Sequence, residues 1–159
     1  MLSTEIADLY ARDLERVAQE LRAFPDTDAL WKTAPGVTNA AGTLALHLEG
    51  NLREFIGRQV GRIDYTRNRP LEFSARGVSQ DELIARIDAV RELIPKVIAG
   101  LSDGDLAEMH QDTIVGRPSS VQMILIYMHA HLNYHLGQID YLRRITTGDG
   151  AIELAALSK

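Results

Sequence analysis

Four stretches of this chain repeat apolar residues every three or four positions, and that period restricts it to a fold built of amphipathic helices. In the first, about residues 3 to 23, Ile6, Leu9, Tyr10, Leu14, Val17 and Leu21 form one stripe. Ser3 or Thr4 can cap it, Glu5 and Asp8 suit the dipole of its first turns, and Pro25 ends it. The second starts near Thr38 or Asn39 and reaches about Val60, with Ala41, Leu44, Leu48, Leu52 and Phe55 on the core face. The third follows Ser79 as N-cap and carries Leu83, Ile87, Val90, Ile94, Val97 and Ile98. Pro95 lies inside it and should kink it or end it before Gly100. The fourth opens at Pro118-Ser119-Ser120 and runs to about Thr146, before Gly148 and Gly150.

Between these stretches the pattern is lost. Asp26 to Trp31 reads as a turn or a single helical turn, and Gly61 to Gly77 and Ser102 to Gly116 read as loops. Within the latter, Met109 to Val115 can be extended and pair loosely with another segment. Ile152 to Leu157 can form a short last helix that packs back. Four long helices without a confident strand indicate an all-α helical bundle, whose connections leave the topology open. At 159 residues, with no internal repeat, one domain over 1–159 is expected.

The charge balance narrows the partners. Seventeen Lys and Arg against 22 Asp and Glu give a net charge of −5, and the one basic cluster, Arg58 to Arg69, is short and interrupted by Asp64. No nucleic-acid partner is expected. The longest apolar run, Met123 to Met128, is too short to span a bilayer, and the N-terminus has no basic region of the signal-peptide kind. With no cysteine, thiolate catalysis and Cys-type zinc sites are excluded. A cytoplasmic location is expected, since the lack of disulfides fits a reducing compartment.

The chemistry gathers on the fourth helix. His131 and His135 are four residues apart, about 40° on a helical wheel, so they share one face. His129 is roughly 160° away and cannot join them. His110 falls in a loop, which leaves His47 as the remaining histidine on a long helix. Three neutral imidazoles can hold a divalent ion without cancelling its charge, leaving a fourth position for water. Zn²⁺ and Ni²⁺ both suit such a set. The residue after His131 is Leu132, so the built-in base of the His-Glu-x-x-His proteases is missing. The competing reading of the pair is two half-buried helix histidines with satisfied ring nitrogens.

Neighbouring residues each carry two readings. Gln138 either orients an imidazole of the site or packs beside Gly137. Asn51, one turn beyond His47, is a candidate contact to substrate or metal-bound water, and Arg58 lies almost in line with it as a second substrate-binding candidate. Glu54 is the best-placed carboxylate for a general base, yet it can equally pair with Arg58 four residues on. Tyr134 is a second catalytic candidate that can line a cleft. Tyr127 is a substrate-binding candidate whose alternative is core packing. Trp31 suits a core or interface, and Gly137 the close approach of another helix.

The run His131-Leu132-Asn133-Tyr134-His135-Leu136-Gly137-Gln138-Ile139, followed by Tyr141-Leu142-Arg143, resembles the last-helix motif of the DinB superfamily of YfiT-like proteins. Ala45-Leu46-His47-Leu48-Glu49-Gly50-Asn51 is similar to that family's first-histidine segment, and the order of elements agrees from about residue 5 to 147. The resemblance implies an up-down four-helix bundle, a metal held by His47, His131 and His135, and a homodimer. Characterised relatives include thiol S-transferases using bacillithiol and a mycothiol-dependent maleylpyruvate isomerase, so a low-molecular-weight thiol is an implied cofactor. Many relatives carry His-His-Arg-Gly-Gln, where this chain has Tyr134-His135-Leu136-Gly137-Gln138.

Two functions therefore stand at the level of sequence. One is a metal-dependent enzyme, a transferase or hydrolase acting on a small molecule. The other is a non-catalytic binding or stress-response module whose metal, if any, is structural.

Overall fold

Serine caps start two of the long helices where the sequence places them. Ser79 Oγ accepts from Glu82 N, and Ser120 Oγ accepts from Met123 N, each satisfying one of the free N–H groups of a first turn. The computed structural model describes residues 1–111 and 114–157. The long elements are α1 (Leu2–Arg22), α3 (Ala41–Leu52), α5 (Gln80–Ala99) and α7 (Val121–Thr147). Short helices α2 (Thr27–Leu30), α4 (Arg69–Ser74) and α6 (Asp103–Ala107) lie in the connections. Met109–His110 and Ser119–Ser120 form one two-residue antiparallel pair, β1 and β2. The fold is all-α in class.

The apolar stripes close on one core. Tyr10, Leu14 and Leu21 of α1, Leu48 and Leu52 of α3, Ile87, Ile94 and Ile98 of α5, and Leu125, Leu132 and Ile139 of α7 are fully buried. Side-chain contacts give the directions of the helices. Arg22 pairs with Asp88 and Arg91 with Glu15, so α1 and α5 are antiparallel. Tyr10 reaches Leu125, Asp13 reaches His129 and Glu20 reaches Arg143, so α1 and α7 are parallel. Glu49 lies against Arg86 and Gly57 against Leu93, so α3 and α5 are parallel as well.

The helices thus run up, down, down, up, and the alternation implied by an up-down bundle is interrupted at the middle pair. Parallel neighbours require a connection as long as the helix itself, roughly 30 Å for 20 residues. The segment from 59 to 79 makes that journey, and α4 within it packs against α3 through Glu72.

Several local expectations change. The second helix passes at Arg53–Arg58 into a wider π-helical stretch. The step of about 100° per residue no longer holds there. Ile56 becomes fully buried while Phe55 only packs against the core margin. Helix α5 runs through Pro95 to Ala99 because Ile94 and Ile98 are buried on either side, and that packing outweighs one lost hydrogen bond. Ser119 and Ser120 are paired as strand, so α7 begins at Val121. The extended reading of Met109 to Val115 holds at Met109–His110; Asp112 and Thr113 lie outside the described residues. Residues 152–157 are not helical, but they do pack back: Arg16 Nε donates to Ala155 O at 2.7 Å and Ala155 N to Gln19 Oε1 at 2.9 Å. Among the described residues, no helix is long and apolar enough to cross a membrane.

Candidate metal centre

Helices α3 and α7 bring His47, His131 and His135 together. The antiparallel crossing sets the first opposite the other two, and one nitrogen from each ring lies within 4.8 Å of the others. His131 Nε2 is 3.3 Å from His47 Nε2 and 3.1 Å from His135 Nε2. A tetrahedral zinc site with Zn–N bonds of about 2.05 Å has nitrogen–nitrogen edges of about 3.3 Å. The two edges at His131 therefore match the spacing of such an ion's ligands. His47 is buried, and the other two rings are half-buried.

The far nitrogens fix which way two of the rings carry their protons. His47 Nδ1 lies 3.0 Å from Glu72 Oε2, a carboxylate that only accepts, so Nδ1 carries the hydrogen and Nε2 presents its lone pair. His135 Nδ1 lies 2.7 Å from Gln138 Oε1, which sets the same tautomer. Two bare Nε2 atoms facing a third at hydrogen-bond distance repel unless a proton or a cation lies among them. The donor set therefore fits a divalent ion.

Glu72 comes from α4, which reads as a loop in the sequence. Arg67 grips it twice, Nε to Oε1 at 2.7 Å and Nη2 to Oε2 at 2.8 Å. Gly50 makes the approach possible, since a Cβ there would lie 2.2 Å from Glu72 Oε1. Two signals of this arrangement were in the sequence: Asn68, which caps α4 through Leu71 N, and Pro70 in its first turn. With only six residues and a mostly exposed face, α4 has no periodicity to reveal it.

Electrostatics favour the neutral, metal-ready rings. Burial lowers the pKa of His47, against the pull of Glu72 and together with the charges of Arg67 and Arg69. Burial, the other two imidazoles and Arg67 bring His131 down to about 4. Burial lowers His135 too, although its bond to Gln138 opposes the shift. Three buried polar atoms near the rings have no partner among the described residues: His131 Nδ1, and Thr43 Oγ1 and Asn51 Oδ1 one turn to either side of His47. Groups of this kind are normally satisfied by ordered water or a ligand.

The other sequence candidates divide. Gln138 touches His135, and Asn51 is buried in line with His47. Tyr134 is 64% exposed with its ring 5.2 Å from that of His135, and Tyr127 is 44% exposed rather than packed in the core. Glu54 is bonded by Arg58, at 2.9 Å from Nε, and by Gln59. The Arg58 bond, opposed by partial burial and aided by Gln59, lowers the carboxyl's pKa, so Glu54 is a weak proton acceptor. His129 faces α1, where its Nε2 lies 2.8 Å from the buried Asp13. A cavity of about 610 Å³ between α1 and residues 155–157 shares no residue with the histidine site.

Comparison with known proteins agrees with this architecture. No curated protein matches the chain. A DinB-like protein from Bacillus cereus is 18% identical over 89% of this chain and 91% of that one, with a TM-score of 0.67. A conserved protein from Enterococcus faecalis is 17% identical over 93% and 96%, with a TM-score of 0.72. At these identities the likeness is one of fold. A family model described as DinB superfamily matches residues 9–139, which include all three histidines, both parallel helix pairs and the crossover that carries Glu72; the chain belongs to the DinB superfamily.

Proposed function

We propose that this protein is a metal-dependent enzyme in which His47, His131 and His135 hold one divalent ion, zinc or nickel, for a transferase or hydrolase reaction on a small molecule. The observation that carries the reading is the convergence of three Nε2 atoms, two of them held bare by Glu72 and Gln138. A cation so bound supplies Lewis acidity, lowering the pKa of a water or a small thiol towards neutrality. Glu72 and Gln138 keep two rings aimed, and the two bonds from Arg67 keep Glu72 in place. Asn51 and Thr43 offer oxygens without a partner among the described residues to water or substrate on the α3 side. Tyr127 and Tyr134 stand at the exposed rim of the histidine face. We place this chemistry in the cytoplasm, where low-molecular-weight thiols are kept reduced. We also propose a homodimer, supported by the uncharged outer face of α7.

One observation favours a second reading, a binding module with a non-catalytic metal: both carboxylates near the site are already engaged, Glu54 with Arg58 and Glu72 with Arg67 and His47. Elemental analysis of protein purified without a histidine tag tests the main reading. The expected result is close to one zinc or nickel per chain, lost in His131→Ala. No metal, and none taken up on adding Zn²⁺ or Ni²⁺, would refute it. A tightly bound ion that exchanges no ligand with added imidazole or thiol would favour the second reading.

A further inference from the structure

A cleft of about 360 Å³ opens at the seam of α3 and α7, one turn from the histidines. Its wall is residues 36–39 on one side and Leu44, Gln138, Tyr141, Leu142 and Ile145 on the other. No residue lining it carries a formal charge, in a chain of which 25% is charged. The Arg144 guanidinium lies 5.2 Å from the Tyr141 ring and is paired with Asp140 at 3.7 Å. An ionised ligand would thus be desolvated there without a free counter-charge, which is costly. The volume is that of a small-molecule site.

Gln138 belongs to both places. Its Oε1 accepts from His135 Nδ1, while its amide nitrogen has no hydrogen-bond partner among the described residues. That nitrogen is a pure donor. We propose that this cleft binds the uncharged, carbonyl-bearing part of the substrate, an amide or ester with an apolar body, and that Gln138 donates to the carbonyl while its own oxygen holds His135. The proposal rests on the metal-enzyme reading, because the tautomer of His135 that frees the Gln138 amide is the one a metal ligand requires. Gln138 is here a binding residue towards the carbonyl and a positioning residue towards His135.

Three probes of one shape separate the chemistry: benzamide, benzoate and benzylamine, titrated by NMR into the full-length protein carrying labelled backbone, Gln side-chain and His-ring groups. Benzamide should move Val37, Asn39, Ile145 and the Gln138 side-chain amide saturably, and shift the His135 ring. Benzoate and benzylamine should bind at least tenfold more weakly. Gln138→Glu, which removes the amide donor, and Val37→Asp, which puts a charge at the mouth, should each weaken benzamide at least fivefold. Equal binding of benzoate, shifts confined to another surface, or benzamide binding indifferent to both variants would overturn the proposal. A Zn²⁺ titration of the same samples separates the two readings. Protein that takes Zn²⁺ at its histidines but shows no benzamide response overturns the cleft alone; protein that binds benzamide but no metal overturns the metal-enzyme reading and leaves the cleft as a binding site.

Discussion

At the scale of single residues, the centre depends on where three protons sit. Glu72→Gln keeps the shape of the contact to His47 but exchanges a fixed acceptor for an amide that can present either end. Loss of such a supporting carboxylate typically weakens a metal site by about 10–100-fold. Chelator competition on the variant should show that loss with the helical circular dichroism unchanged; an unaltered affinity would mean that Glu72 does not orient His47. The depressed imidazoles also set a pH dependence. Their folded-state pKa values lie below the ordinary value of about 6.5, with His131 at about 4. Between those limits the unfolded chain binds more protons than the folded one, so stability is fully present above about pH 6.5 and is lost as pH falls towards 4. In metal-free protein the urea midpoint should drop across that interval, and His131→Gln should flatten the drop. A midpoint flat from pH 7 to 5 would contradict the burial seen here.

At the scale of elements, the two faces of α7 use polar groups differently, and only one difference could be read beforehand. Spacing excluded His129 from the histidine site and kept His131 with His135, because both judgements need only the angle between residues on one helix. The same arithmetic failed beyond Leu52, where the π-helical turn widens the step and puts Ile56 rather than Phe55 in the core. Glu72 was beyond reach for another reason: its partner lies 25 residues earlier, and no local pattern encodes that distance. The α1 face of α7 holds a second long-range pair, Arg143 Nε to Glu20 Oε2 at 2.5 Å, with both side chains buried and Glu20 Oε1 without a partner among the described residues. Burial outweighs the attraction of Arg143 and raises the Glu20 pKa, so desolvation consumes much of what the pair gains. Arg143→Met should therefore cost about 3–5 kcal/mol by stranding a buried carboxylate, while Glu20→Leu with Arg143→Met should recover most of it. Urea denaturation of the single and double variants measures both. A single variant of native stability would show that water reaches Glu20.

At the scale of the whole molecule, the outer face of α7 is left without a partner among the described residues. Its eight exposed residues are Met123, Ile126, Tyr127, Ala130, Tyr134, Gly137, Tyr141 and Ile145, and none is charged. Gly137 sits inside this helix with nothing within 4 Å of where a Cβ would be. Glycine there costs the isolated chain about 0.5–1 kcal/mol relative to alanine, with no return from packing. The close approach by another helix that its place in the sequence suggested does not occur among the described residues, and a second copy would supply it. A face about 35 Å long and 10 Å wide is somewhat less than half of the ~800 Å² that a stable interface buries on each partner. A face of that size makes a weak interface, so the expected dimer dissociates on dilution. Two substitutions separate this from a merely apolar surface. Ala130→Glu sets like charges face to face across a two-fold axis and should give monomers at concentrations where the parent is dimeric. Gly137→Ala should act in opposite directions: it raises the thermal midpoint of the dilute monomer through helix propensity and weakens the dimer by holding the helices apart. Sedimentation equilibrium with melting curves at two concentrations reads both effects. If Gly137→Ala stabilises the protein equally at every concentration, α7 does not meet a second α7.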